Sequence, residues 1–269
     1  ETGGKNATLL SRFADLDLAV QSVIQSAFGH AGQKCSATSL LIIPESLMRD
    51  ARFKTQLVDA ARSLKVGSAW DLENRVTPLI HPPGGALKQA LTHLEPHESW
   101  WLEPTVDPEN PRVWSPGIKA GVTPMSKGHL TEFFGPVLSV MVAQDLDEAL
   151  RWANSTPYGL TAGFHSLDED DQAMFLNRMD AGNLYVNRTT TGAIVQRQPF
   201  GGRKASCFGP GHKAGGPNYI HMFVHLEDHP QPRQSDTSPS KEAVALLPED
   251  DDLRAELARF ALACEEAMA

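Results

Sequence analysis

The sequence is poor in cysteine and has no excess of basic charge, and both shortages exclude classes of function. Its 269 residues include only 3 cysteines, Cys35, Cys207 and Cys264, which form neither a disulfide framework nor a CxxC metal site. The formal net charge of -9 argues against a nucleic-acid partner, because phosphates attract a basic surface. Free thiols persist in a reducing compartment, so we expect a cytoplasmic protein.

Hydrophobic runs long enough for a membrane are also missing from the sequence. No apolar stretch approaches the roughly 20 residues that cross a bilayer, and the chain does not begin with a recognisable signal peptide. The first residue is Glu1 rather than a methionine, and it lies within an apparent motif. We therefore expect the chain to be a portion of a longer protein.

Helix and strand patterns alternate along the chain and predict an α/β fold with a largely parallel sheet. Apolar residues recur at helical spacing after Asp15 and Asp17, either of which is a suitable N-cap, and Gly29 ends that helix. Similar patterns predict further helices over 49–65, 84–93, 146–154 and 168–179. Short apolar runs predict strands over 39–43, 100–106, 137–142, 162–165 and 183–187.

The composition of the chain changes after residue 226. Residues 227–245 are rich in Pro, Gln, Ser and Asp and cannot bury much surface, which is typical of a linker. Helical spacing of apolar residues returns within 246–269. We expect a main domain over 1–226, a linker over 227–245, and a helical segment over 246–269 that starts a truncated region.

Cys35 lies between a predicted helix end and a predicted buried strand. A thiol at such a junction can point into a cleft, where it is useful as a nucleophile. A lone cysteine is more often a buried structural residue. Cys207, in a Gly-rich loop, and Cys264, on an apolar helical face, fit that structural interpretation better than Cys35 does.

Two carboxylates occur in motifs that could serve chemistry. Glu1 begins the polar motif over 1–6, and a carboxylate held near a cysteine can activate water; a solvated turn is the alternative. Glu132 and Phe134 precede a predicted strand. The carboxylate could bind the hydroxyl groups of a ribose, and the aromatic ring could pack against a flat ring. The alternative is a surface glutamate beside a hydrophobic residue at the start of a strand.

Seven motifs that follow one another in a fixed order resemble those of the aldehyde dehydrogenase superfamily, from its catalytic Glu motif onward. They lie over 1–6, 32–35, 102–106, 132–137, 154–160, 182–187 and 199–202, and the resemblance covers roughly residues 1–224. A closer similarity is to glutamate γ-semialdehyde (1-pyrroline-5-carboxylate) dehydrogenases, including the module of bifunctional proline-utilisation proteins. It depends on Ser36 directly after Cys35 and on the segments over 190–195, 198–202 and 213–219.

The resemblance implies a fold, a cofactor and partners. The fold is a three-layer α/β catalytic domain that lacks the upstream Rossmann-like domain, and the cofactor is NAD. The substrate is glutamate γ-semialdehyde, and we expect a homo-oligomer. A proline dehydrogenase module is fused to this region in some members, and the sequence leaves its presence here open.

The resemblance also implies roles for individual residues. Cys35 attacks the aldehyde to give a thiohemiacetal and then a thioester, and Glu1 activates the water that hydrolyses it. The resemblance assigns cofactor binding to Glu132, at the nicotinamide ribose, and to Phe134, at the nicotinamide ring. It assigns substrate binding to four further residues: Ser36, Gly192, Ala193 and Phe200.

Alternative functions stay open at this point. The chain could be a non-catalytic remnant without a cofactor domain, although a remnant has no reason to keep Cys35, Glu1 and Glu132. It could also serve another aldehyde, such as succinate semialdehyde. No metal site is expected, because His221 and His225 have i, i+4 spacing but lack the glutamate of an HExxH motif.

Overall fold

The structure, a computed structural model, describes residues 3–194, 197–208, 212–225, 227, 255 and 259. It divides into a large unit, Glu1–Phe223, and a second unit, Val224–Ala269. The linker over 227–245 and the helix over 246–269 therefore lie almost entirely outside the described residues, and both stay predictions.

Short strands run through the large unit. In chain order they are β1 (Asn6–Leu10), β2 (Thr38–Pro44), β3 (Ser99–Leu102), β4 (Gly117–Ala120), β5 (Val137–Ala143), β6 (Tyr158–Gly159), β7 (Thr161–His165), β8 (Asn183–Val186) and β9 (Arg203–Lys204). Within the described residues, a 7-stranded sheet has the order β3-β4-β5-β2-β1-β7-β8. Only the β3–β4 pair in it is antiparallel, so the predicted, largely parallel sheet is confirmed.

Helices cover both faces of this sheet. They are α1 (Leu16–Phe28), α2 (Glu45–Met48), α3 (Ala51–Arg62), α4 (Gly85–Thr92), α5 (Lys127–Leu130), α6 (Leu146–Asn154) and α7 (Glu169–Arg178). Alternate residues of β2 enter two separate cores. Leu41 packs in a core with α1 and α3, whereas Leu40 packs in a core with α6 and α7. The three layers that the resemblance implies follow from this alternation.

The starts of α1, α6 and α7 agree with the sequence because their signals are local. Asp15, not Asp17, caps α1: its carboxylate accepts hydrogen bonds from the N–H groups of Asp17 and Leu18, each at 3.1 Å. Asp145 caps α6 and Asp168 caps α7 in the same way.

Several sequence-based boundaries differ from the structure. Strands β1 and β4, which are short and buried, were not predicted from the sequence. The predicted helix over 49–65 begins later, at Ala51, because Asp50 is its cap. The predicted strand over 100–106 ends at Leu102, two residues before Pro104, which cannot donate to a strand partner.

Membrane-spanning helices and metal-binding clusters are both missing from the described residues. Among the residues described, none of the helices combines the length and apolar character needed to cross a bilayer. The described part of the chain also contains no group of at least 3 His, Cys, Asp or Glu side chains that could hold a metal ion.

Candidate active site

Cys35 lies in a tight turn between α1 and β2, where the backbone is unusual. After α1, His30 (φ 56°), Ala31 (φ 53°) and Gly32 (φ 69°) are all left-handed. Such a conformation is costly for residues other than glycine and is often found at functional sites. The side chain of Cys35 is half-buried, so the thiol is neither sealed in the core nor fully in solvent.

Gly32 brings the Cys35 turn against the segment that contains Glu132 and Phe134. A Cβ atom added to Gly32 would lie 2.3 Å from the carbonyl oxygen of Gly135, so only glycine permits the approach. Gln33 strengthens the same contact, since its Nε2 donates to the carbonyl of Phe134 at 3.1 Å. Two predicted motifs about a hundred residues apart therefore meet directly.

The first motif also reaches Cys35 and Glu132. The N–H of Gly4 donates to Oε1 of Glu132 at 2.8 Å, and a Cβ on Gly4 would lie 2.8 Å from the carbonyl oxygen of Cys35. Glu1 itself lies outside the described residues. The structure therefore brings Gly4 of the first motif together with Cys35 and Glu132.

Asn6 holds the backbone of the Cys35 turn. Its Nδ2 donates to the carbonyl of Cys35 at 2.7 Å and to the carbonyl of Ala37 at 2.9 Å. Its Oδ1 accepts from the N–H of Thr161 at 3.0 Å, which joins the turn to β7. Asn6 is buried, so these bonds are shielded from water and define the direction in which the turn faces.

Lys5 is a buried cation that the sequence analysis did not single out. Its side chain is 2% exposed, and Nζ lies 4.7 Å from the centroid of the Phe133 ring. Burial lowers the pKa of the Lys5 ammonium to about 7, although the nearby carboxylate of Glu132 opposes the shift. Its position in a Gly-Gly-Lys-Asn motif was the available signal.

Tyr185 is a second residue that the sequence analysis missed. It is buried on β8, and burial raises the pKa of its phenol, with a smaller contribution from Cys35. The motif over 182–187 contains this tyrosine, but the alternation of strand residues gave no reason to prefer it.

The predicted substrate residues occupy two places. Ser36 is 8% exposed, and its carbonyl accepts from the hydroxyl of Thr190 at 2.9 Å. Gly192 (φ 91°) and Ala193 follow Thr190 and are exposed. The structure therefore ties the turn of Cys35 to the loop that contains Gly192 and Ala193.

Phe200 belongs to a segment that is hydrogen-bonded to Asn183, the first residue of β8. Its backbone pairs with that of Ala214, and its side chain is half-buried. Asn183 holds the adjacent residues, because Nδ2 donates to the carbonyl of Pro199 at 2.8 Å and Oδ1 accepts from the N–H of Gly201 at 3.1 Å.

Phe134 and Glu132 are the residues that the resemblance assigns to the nicotinamide riboside. Phe134 is left-handed (φ 54°) and 39% exposed, so part of its ring offers an apolar face. The carboxylate of Glu132 can accept hydrogen bonds from hydroxyl groups. Both residues line one cleft together with Gly4 and Lys34.

The candidate site lies at the amino end of β2. A cavity of about 910 Å³ borders it, with Lys34, next to Cys35, and Thr191, next to Gly192, in its wall. Ligands of open α/β sheets usually bind at the carboxyl ends of strands. A cavity of about 410 Å³ exists there, but its lining, which includes Pro44 and Asp145, contains none of the predicted site residues.

Comparison with protein families places this arrangement among known enzymes. A model of the aldehyde dehydrogenase family matches residues 1–228, a range that includes every predicted site residue. The chain is similar to the 1-pyrroline-5-carboxylate dehydrogenases of Geobacillus thermodenitrificans (37% identical over 230 residues) and Bacillus subtilis (36% over 228 residues). Each alignment covers 84% of this chain and 43% of the relative, so the chain spans less than half of their length.

Solved structures show the same likeness. Proline utilization A from Corynebacterium freiburgense is 48% identical, with a TM-score of 0.82 over 92% of this chain and 25% of that chain. A 1-pyrroline-5-carboxylate dehydrogenase from Thermus with bound NAD is 33% identical, with a TM-score of 0.73 over 83% of this chain and 42% of that chain.

Proposed function

Because the chain belongs to the aldehyde dehydrogenase family, we propose that it forms the cysteine-bearing part of an NAD-dependent enzyme of proline catabolism. The reaction is the oxidation of glutamate γ-semialdehyde to glutamate. The observation that carries the proposal is the meeting of the Cys35 turn with Gly4 and with the Glu132 segment. The names of the relatives, 1-pyrroline-5-carboxylate dehydrogenase and proline utilization A, support the substrate.

The first step is nucleophilic attack by Cys35. Its thiolate adds to the aldehyde carbon, and the carbon–oxygen double bond becomes the alkoxide of a thiohemiacetal. The tight turn around Cys35 limits the positions that the sulfur can take. Its backbone N–H is suited to stabilise the alkoxide, since fixed donors aimed at a developing charge lower the barrier without reorganisation.

The cofactor is proposed from the chemistry of Glu132 and Phe134. Glu132 would hold a ribose hydroxyl, and Phe134 would pack beside the nicotinamide. Bound NAD would supply the hydride acceptor for oxidation at the thiohemiacetal carbon. The left-handed backbone of Phe134, whose carbonyl accepts a hydrogen bond from Gln33, defines the course of the chain at the cleft.

The last step is hydrolysis of the thioester on Cys35. Glu1 would take a proton from water as the hydroxide adds to the thioester carbon, and the cysteine sulfur leaves as thiolate. Gly4, three residues after Glu1, contacts both the Cys35 carbonyl and Glu132.

The substrate's amino acid end would bind opposite the thiol. Ser36 offers a hydroxyl, and the Gly192–Ala193 loop offers backbone N–H groups without large side chains. Each charge-assisted hydrogen bond to a carboxylate contributes about 1.5–3 kcal/mol. Phe200 would flank the aliphatic chain.

Replacement of the two described cysteines in the full-length protein tests the proposal. Cys35→Ser should abolish oxidation of glutamate γ-semialdehyde, because a serine hydroxyl is a far weaker nucleophile at neutral pH. Cys207→Ser is the matched control and should retain activity. Circular dichroism should show both variants folded; an active Cys35→Ser enzyme would refute the proposal.

A further inference from the structure

A chain of buried hydroxyl groups connects the central strands to the turn of Cys35. The side-chain oxygens of Thr8 and Thr38 are 2.8 Å apart, and those of Thr38 and Thr190 are 3.0 Å apart. Thr190 Oγ1 also lies 2.9 Å from the carbonyl oxygen of Ser36. Thr8, Thr38 and Thr190 are each at most 2% exposed, so water does not compete for these bonds.

The direction of the hydrogen bonds follows from the carbonyl at the end of the chain. A carbonyl oxygen can only accept, so Thr190 donates its single hydroxyl proton to Ser36. Thr38 must then donate to Thr190, and Thr8 must donate to Thr38. Because every hydroxyl donates in the same direction, the bonds polarise one another and hold Thr190 firmly against the Ser36 carbonyl.

Thr190 is also held from the helical layer. Its backbone N–H donates to Oγ of Ser26 in α1 at 3.1 Å, and that hydroxyl donates to the carbonyl of Ser22 at 2.6 Å. Thr190 therefore has fixed contacts on both its backbone and its side chain. The exposed Gly192 follows two residues later, a length of chain that reaches at most about 7 Å.

We propose that Thr190 is a positioning residue that sets the distance between the Cys35 thiol and the Gly192–Ala193 loop. The hydrogen bond to Ser36 joins the residue after the nucleophile to the residue two positions before that loop. A substrate that must reach both Cys35 and the loop depends on this distance. An aldehyde without an amino acid end depends on Cys35 alone. This inference rests on the proposed function.

Substrate discrimination in the full-length protein tests the proposal. Thr190→Val keeps the shape of the side chain and removes the donor to Ser36. We expect the ratio of kcat/KM for glutamate γ-semialdehyde to kcat/KM for propanal to fall about tenfold or more, since a misplacement of about 1 Å costs up to a hundredfold in rate. Thr190→Ser retains the hydroxyl and should restore the ratio.

A control separates positioning from general loss of stability. Thr156 is also buried, and its hydroxyl donates to the carbonyl of Tyr158 at 3.1 Å, outside the Cys35 turn. Thr156→Val should lower the melting temperature to a similar extent as Thr190→Val but leave the substrate ratio at its wild-type value. Equal losses for both substrates in Thr190→Val, or an unchanged ratio, would overturn the proposal.

Two further variants keep the outcome decisive. Ser26→Ala is the substitute if Thr190→Val does not fold. It removes the acceptor for the Thr190 N–H and should lower the same ratio of kcat/KM values. An unchanged ratio in a folded Ser26→Ala enzyme contradicts the proposal. Cys35→Ser distinguishes the two levels of inference. Activity in that variant refutes the proposed function, whereas an inactive Cys35→Ser enzyme with an unchanged Thr190→Val ratio refutes only the role of Thr190.

Discussion

Substitution of Gly32 by alanine should destabilise the protein in two ways. The first is conformational, because Gly32 has a φ of 69° and a left-handed conformation costs an L-residue about 1–2 kcal/mol. The second is steric: the new Cβ would lie 2.3 Å from the carbonyl oxygen of Gly135, and ordinary contact begins at 3.4 Å. One of the two segments must therefore move by about 1 Å.

That movement would separate the Cys35 turn from the Glu132 segment. A displacement of about 1 Å between reacting groups lowers the rate by about a hundredfold, so we expect kcat for Gly32→Ala to fall by roughly that factor in the full-length protein. Initial-rate kinetics measure the fall in kcat, and thermal melting measures the stability.

Gly85 provides the matched control for Gly32. It is also left-handed, with a φ of 51°, but an added Cβ would meet no atom within 4 Å. Gly85→Ala should therefore lose only the conformational contribution of about 1–2 kcal/mol and keep the wild-type kcat. The reasoning is wrong if Gly32→Ala turns over at the wild-type rate, or if both variants lose activity equally.

The remaining predictions concern the proposed base and the buried lysine. Glu1→Gln in the full-length protein should release one burst of NADH and then stall, because the amide cannot activate water for thioester hydrolysis. Rapid-quench kinetics measure the burst. Loss of the burst together with turnover would instead give Glu1 a role in the attack by Cys35. Burial lowers the pKa of Lys5 from 10.5 to about 7, so the unfolded chain binds more protons between these values, and this residue makes stability rise with pH across that window. Lys5→Met removes that contribution, and denaturant unfolding should show the variant gaining less stability than wild type from pH 7 to pH 10; equal gains would contradict the assignment.

Local interactions explain why much of the fold could be predicted from the sequence. The helix that Asp145 caps was predicted at its observed bounds, Leu146–Asn154, because the cap and the apolar spacing involve residues within a few positions. The apolar run of β2 was recognised for the same reason. By contrast, β1 has only 5 residues, and its burial depends on the neighbours β2 and β7, which lie far away in the sequence.

The order of motifs identified the family and named Cys35, Glu132 and the other candidate residues, but it carried no distances between them. The contact between Gly4 and Glu132 spans 128 positions, and that between Thr190 and Ser36 spans 154. Such contacts exist only after the parallel strands assemble. Gly4, Ser36 and Glu132 precede β1, β2 and β5, and the amino ends of these three neighbouring strands then lie side by side. The sequence by itself therefore determined the chemical groups and those helices and strands whose signals are local. The tertiary structure alone decided that Gly4 and Glu132 meet beside the turn of Cys35, that Asn6 holds this turn, and that Thr190 joins it to the Gly192–Ala193 loop.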